Sequence, residues 1–325
     1  MKLARRKFLH LAAAAAALPA APRLVSAQTY PSRPVRLVVG FAAGASPDIT
    51  ARLMGQWLSE RLGQPFIIDN RPGAGSNIGT EAAVQAPPDG HTLLWATTPN
   101  AINATLYERL NFNFIRDIAP VAAVIRAPLV MVVNPSVPAK SVSEFITYAK
   151  ANPNKLNMAS TAGTTDHVSG ELFKMMTGTS IVDVPYRGGG ASLFADLLGG
   201  QVQVSFPATA ASIGYIRAGK LRPLAVTTPL RWEGLPDIPT VGEFVSGYES
   251  SVWHGVGAPK GAPAAIVDKL NREINIGLAD AKLKSRLAEL GGTVLPGSPA
   301  DFSKLIADET EKWGKVVKFA GLKPA

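Results

Sequence analysis

The 325-residue sequence contains no cysteine, which excludes disulfide cross-links, thiolate nucleophiles and thiolate metal sites together. Histidine is scarce as well. His10 sits in the N-terminal stretch, and His91, His167 and His254 lie far apart, with no second metal ligand at helical spacing. No G-x-S-x-G nucleophile elbow and no G-x-x-x-x-G-K-S/T phosphate loop occurs. Gly73-Ala-Gly75 approaches a dinucleotide fingerprint, but Gly79 falls one position late for G-x-G-x-x-G. Paired carboxylates beside loops are missing too, because Asp48, Asp166 and Asp196 each read locally as helix-start residues. An enzyme is the weaker reading, and neither cofactor nor metal is expected.

Charge of one sign never accumulates. The formal net charge is +9, yet Lys2, Arg5, Arg6, Lys7 and Arg23 supply five of those charges with no acid among them, leaving +4 after residue 27. The remaining Lys and Arg are scattered without a run, which argues against a nucleic-acid surface and suits an anionic ligand. Residues 1–27 read as an export signal: the pair Arg5-Arg6, the Ala-dominated run Leu11 to Leu18, and the small-residue cleavage site Val25-Ser26-Ala27. That run is too short to span a bilayer, and no later stretch reaches the required length. The expectation is a twin-arginine signal peptide and a soluble periplasmic protein.

What is present is one repeated unit. The apolar run Val35 to Val39 leads into Phe41-Ala-Ala-Gly-Ala-Ser-Pro-Asp48, and Ile49, Leu53, Met54, Trp57, Leu58 and Leu62 follow at helical spacing. Ser46 is the expected N-cap with Pro47 at the first helical position, so the loop presents unpaired N–H groups and the positive end of a helix dipole. Gly44 between Ala43 and Ala45 lets a ligand approach the backbone closely. The loop is either such an anion site or an ordinary strand-to-helix turn. The unit recurs at Phe66 to Ser76, at His91 to Asn100, and at Leu156 to His167, where Val168, Leu172, Met175 and Met176 form a helical stripe that Gly178 ends. Further loops follow Ile181–Val184, Val202–Phe206 and Leu224–Val226.

The βαβα order predicts an α/β protein with mostly parallel sheets and helices on both faces, binding its ligand beyond the carboxyl ends of the strands. Two extended segments bounded by prolines, Leu129 to Val133 and Val252 to Ala258, bracket a block of domain size. If the helices after Pro263 return to the first lobe, the chain crosses twice and forms a hinge. His167, near the first turn of its helix, is either a donor to a bound carboxylate or a packed cap. Tyr186 offers a hydroxyl or an aromatic wall, and Arg187 either pairs with an anion or stays solvated.

Taken together the loops resemble the Bug-type extracytoplasmic solute receptors of the tripartite tricarboxylate transporter family. The matching residues are Tyr30 to Phe41 with the loop to Asp48, Asn70-Arg-Pro-Gly-Ala-Gly75 with Gly79, Pro88 to Leu93, Ser160 through His167, Val184 to Gly188, and Ala218-Gly-Lys-Leu221 with Leu224 to Thr227. The resemblance implies a type II periplasmic binding protein fold, with two lobes around a ligand cleft. Its segments would be a signal peptide 1–27, first lobe 28–128, second lobe 129–251 and return segment 252–325. It implies a non-catalytic monomer that captures a small carboxylate-bearing ligand, a mono- or dicarboxylate, amino acid or aromatic acid. The partner would be a two-component integral membrane permease. A periplasmic enzyme acting on an organic acid and a ligand-sensing receptor are the alternatives. Carried over, Phe41, Ala42, Ala43, Gly44, Ala45 and Ser46 grip the ligand from one side. Ser160, Gly163, Thr164, Thr165 and His167 grip it from the other, with Ser76, Thr98, Tyr186 and Asp196 at the rim. The sequence departs from the family where Ala43-Gly44-Ala45 replaces Pro-Gly-Gly and where Thr161 replaces a glycine.

Overall fold

The computed structural model describes residues 30–186 and 190–324; the signal peptide read in residues 1–27 and Arg187 lie outside the described residues. Among the described residues the strands form two sheets. The first collects β1 (Val35–Val39), β2 (Phe66–Asn70), β3 (Thr92–Thr97), β4 (Ile118–Pro128), β10 (Ser251–Pro259) and β11 (Thr293–Val294) in the order β11-β4-β10-β3-β1-β2. The second collects β5 (Val130–Val133), β6 (Asn157–Thr161), β7 (Val182–Tyr186), β8 (Val204–Ser205) and β9 (Arg222–Val226) in the order β7-β6-β8-β5-β9.

Strand direction follows the composition. Runs such as Val35–Val39 and Thr92–Thr97 are buried almost throughout, as parallel strands covered on both faces must be. In the first sheet β1 is parallel to β2 and β3, and β10 runs antiparallel to β3 and β4, so β1 to β4 share a direction that β10 and β11 oppose. In the second sheet only β5 opposes the others. The mostly parallel α/β architecture in two lobes is therefore present. Apart from the two-residue β11, the strands of opposite sense, β5 and β10, are the ones that the Pro-bounded crossing segments supply.

The two sheets correspond place for place, β2-β1-β3-β10-β4 with β7-β6-β8-β5-β9. β1 and β6 hold equivalent positions, and each runs into a glycine-containing loop and a long helix. The crossing segments are laced together by Thr227. Its N–H donates to the Leu129 carbonyl at 3.0 Å, its hydroxyl accepts from the Leu129 N–H at 3.0 Å, and its carbonyl accepts from the Ser250 N–H at 3.0 Å.

The C-terminal helix Pro299–Ala320 starts at a Ser298–Asp301 capping box and packs on the helix Thr98–Leu106, on β4 and on the helix Thr165–Thr177, so it touches both lobes. The fully buried Trp253 meets Phe302 edge-on at 5.7 Å. Buried Glu309 accepts from the indole N–H of Trp253 at 3.2 Å and of Trp313 at 2.8 Å, which satisfies polar groups that water cannot reach. Among the described residues no helix is long and apolar enough to cross a membrane.

Candidate functional site

A cavity of about 400 Å³ lies beyond the carboxyl ends of β1, β3 and β6, with walls from both lobes. The first lobe contributes Phe41, Ser46, Pro47, Thr97 and Pro99. The second contributes Thr161, Thr164, Thr165, Asp166, Phe194, Ala208 and Thr209, and the crossing strands add Pro128, Leu129, Val252 and His254. Among the described residues no Lys or Arg lines it. Among the described residues the groups there that suit an anion are backbone N–H groups, hydroxyls and helix dipoles.

The loop after β1 is built around Asp48. Gly44 adopts φ +83, a conformation open to glycine, and its N–H donates to Asp48 Oδ2 at 2.8 Å. Arg52 and Asn70 also donate to this buried carboxylate, at 2.9 Å each, and Asn70 Nδ2 reaches the Phe41 carbonyl at 3.0 Å. Burial alone would raise the Asp48 carboxyl, but the hydrogen bonds from Arg52, Gly44 and Asn70 prevail and hold it below its ordinary value. The helix spans Ser46–Leu62, so its cap is Ala45 rather than the expected Ser46. Alanine has no capping oxygen, and Asp48 restrains the loop instead.

The loop after β6 repeats this plan. Gly163 has φ +73, and its N–H donates to Nδ1 of the buried His167, four residues on, at 3.2 Å. The Thr161 N–H donates to Asp166 Oδ2 at 2.9 Å. The Thr164 hydroxyl lies against both Asp166 Oδ1 and the Thr161 carbonyl. It has one proton for two acceptors. Burial pushes the Asp166 carboxyl up, against the hydrogen bonds from Thr164 and Thr161.

Phe41, Ser46, Thr164 and Thr165 are thus brought together around the cavity. Ala42, Ala43 and Gly44 are exposed on the loop behind Phe41, and Ala45 is half-buried at the helix cap; none of the four lines the cavity. Gly163 stands behind Thr164. Ser160 and His167 turn away from the cavity toward Asp183, whose Oδ1 accepts the Ser160 hydroxyl at 2.7 Å and whose Oδ2 lies 3.1 Å from His167 Nε2. Tyr186 donates to Asp196 at 2.6 Å, tying β7 to the helix Gly190–Gly199. Thr98 is buried beneath Thr97 and accepts the Trp253 N–H at 2.8 Å, while buried Ser76 packs against Gly40.

His167, Glu171 and Asp183 place their ligand atoms within 4.8 Å of one another, the spacing of a metal cluster. The donor chemistry points elsewhere. Nδ1 accepts the Gly163 N–H, so the ring proton belongs on Nε2, and Glu171 is already held by Lys174 at 2.7 Å. A metal would have to displace both contacts. Nor is this a nucleophilic triad, because the carboxylate sits between serine and histidine and leaves the serine without a base.

Sequence reasoning missed His254, Thr209 and Phe194. His254 is buried and puts Nδ1 3.0 Å from the Thr50 hydroxyl oxygen; burial pushes its pKa down to about 3, so the ring is neutral. The strand-end rule was a signal for Thr209, which directly follows the loop after β8. No local signal marks His254, since only its pairing with β3 and β4 brings it to the cavity.

Residues 50–322 match the family model described as tripartite tricarboxylate transporter family receptor. Protein BugT of Bordetella pertussis is 37% identical over 305 residues, covering 92% of this chain and 93% of that protein. The structure of R. palustris Rpa4515 with adipate superposes with a TM-score of 0.77 at 39% identity, covering 91% of this chain and 100% of the other. MatC from Rhodopseudomonas palustris with bound malate gives a TM-score of 0.73 at 30% identity, covering 89% and 100%. With its two corresponding sheets and a cavity between two glycine loops, the chain belongs to the tripartite tricarboxylate transporter receptor family, whose Bug proteins its sequence resembles.

Proposed function

We propose that the protein is a periplasmic solute receptor that captures a small carboxylate-bearing ligand and hands it to a two-component integral membrane permease. The observation carrying this reading is that the starts of two long helices, at Ser46–Pro47 and at Thr164–Asp166, face one cavity from opposite lobes. Helix starts leave backbone N–H groups without intrahelical partners and carry a partial positive charge. Gly44 and Gly163 spend their own N–H groups on Asp48 and His167, which leaves the first helical turns for the ligand. Charge-assisted hydrogen bonds of this kind contribute about 1.5–3 kcal/mol each. The relatives seen with adipate and with malate support a carboxylate.

In this reading residues 1–27 are a twin-arginine signal peptide, 28–128 and 252–325 form one lobe, and 129–251 the other. The monomer closes about the crossings at Leu129 and Val252 because contacts to both helix starts are made together only when the lobes approach. No catalytic step is assigned, since Ser160 and His167 are committed to Asp183. The test is thermal stabilisation of the purified mature protein by a panel of organic acids, with the compound recovered afterwards. A ligand at a hundred times its Kd adds about 2.7 kcal/mol, a shift of a few degrees. A hit recovered unchanged supports a receptor; consumption of the compound favours an enzyme.

A further inference from the structure

We infer that the ligand is an acid with a continuous apolar body, an aromatic ring or an unsubstituted chain of several carbons, and that Phe41 and Phe194 clamp this body from opposite lobes. The inference rests on the receptor reading and concerns the part of the ligand beyond its carboxylate. The cavity is unevenly furnished. Beside its hydroxyls, imidazole and helix starts, Phe41, Ile125, Leu129, Leu193, Phe194 and Leu290 line it, and carbon makes up most of the surface it presents. No Lys or Arg among the described lining residues offers donors to a second cluster of oxygens.

Both rings are packed before any ligand arrives, Phe41 as a half-buried residue against the core beside β1 and β3. Phe194 stacks on Tyr215 with centroids 5.0 Å apart and planes at 30°, and its helix is tied to β7 through the 2.6 Å hydrogen bond from Tyr186 to Asp196. Asn70 fixes the Phe41 carbonyl at 3.0 Å. A preformed apolar wall favours flat or extended carbon surface. A hydroxylated chain would turn its O–H groups toward carbon and lose their water without replacement. Hydrophobic pockets discriminate in this way by roughly tenfold to a hundredfold.

The test is isothermal titration of the mature protein with monoanions matched in charge and carbon count, hexanoate against gluconate and benzoate against quinate. The expected result is that hexanoate or benzoate binds at least tenfold more tightly than its hydroxylated counterpart. Phe194→Ala should erase that preference and Phe194→Leu should keep it. Equal or tighter binding of gluconate or quinate overturns the inference and leaves the receptor reading standing. A folded Phe194→Ala protein with its preference intact overturns the clamp. If neither these acids nor a wider panel binds, the receptor reading fails and this inference with it.

Discussion

Gly163 donates its backbone N–H to Nδ1 of His167 at 3.2 Å, and the same four-residue link joins Gly44 to Asp48 at 2.8 Å in the other lobe. Each glycine has positive φ, each acceptor lies in the first turn of the following helix, and each loop ends at the shared cavity. The two lobes thus solve one problem, how to hold a tight loop at a helix start, with different acceptors.

His167→Ala should remove the acceptor of the Gly163 N–H and leave the Asp183 carboxylate without its imidazole partner. An unmade buried hydrogen bond costs about 1–3 kcal/mol, so the variant should lose stability in denaturant titrations. Carboxylate affinity should fall more than threefold because the loop carrying Thr164 and Thr165 loosens. Unchanged stability and affinity would show that the link does no more than fill space.

Asp48 makes stability depend on acid. Its carboxyl is held below the ordinary value in the folded protein, so its contribution is present above the unfolded carboxylate pKa near 4 and is lost as pH falls through the folded value. Asp48→Asn should lower the melting temperature at pH 7 and flatten its decline on acidification. The check is a melting series from neutral pH downward on both proteins.

Asp166 should behave in the opposite sense. Burial raises its carboxyl, so the folded protein favours the protonated form, and stability falls as pH rises from the unfolded pKa through the folded one. Asp166→Asn should therefore raise the neutral-pH melting temperature. Above the folded pKa, where Asp166 is ionised, the substitution should also strengthen binding of an anionic ligand, whose carboxylate no longer meets a negative wall. Calorimetry at several pH values reads both effects.

Gly44→Val tests the first loop. A Cβ at this position would meet nothing within 4 Å, so the penalty comes from backbone conformation at φ +83 rather than crowding. Forcing a β-branched residue there costs about 1–3 kcal/mol, or the loop rearranges and the Phe41 wall moves. Affinity should drop by tenfold or more, while Gly44→Asn, which tolerates this region, should retain most of it.

The repeated strand, loop and helix units were legible because apolar runs end at glycines and helical stripes begin just after them, as at Val39–Gly44 and Leu156–Gly163. The crossing strands were visible as extended segments, and their antiparallel sense emerged only from pairing in β10 with β3 and β4. Which side chains face the cavity was far less legible. Ser160 and His167 sit in a matching loop, yet Asp183 on the neighbouring strand draws both inward, and that partner is 23 residues from Ser160. His254 reaches the cavity from a strand more than two hundred residues beyond Thr50, its hydrogen-bond partner. Local spacing placed the loops, whereas tertiary pairing decided where their side chains point.

In the receptor reading two helix starts hold a carboxylate without help from a fixed cation among the described lining residues. The most direct measurement is calorimetric titration of the mature protein with the tightest acid of the panel and with its primary amide. The amide keeps the shape and removes the charge. The amide is expected to bind at least tenfold more weakly, the loss of one or more charge-assisted hydrogen bonds. Equal affinity for acid and amide would contradict it.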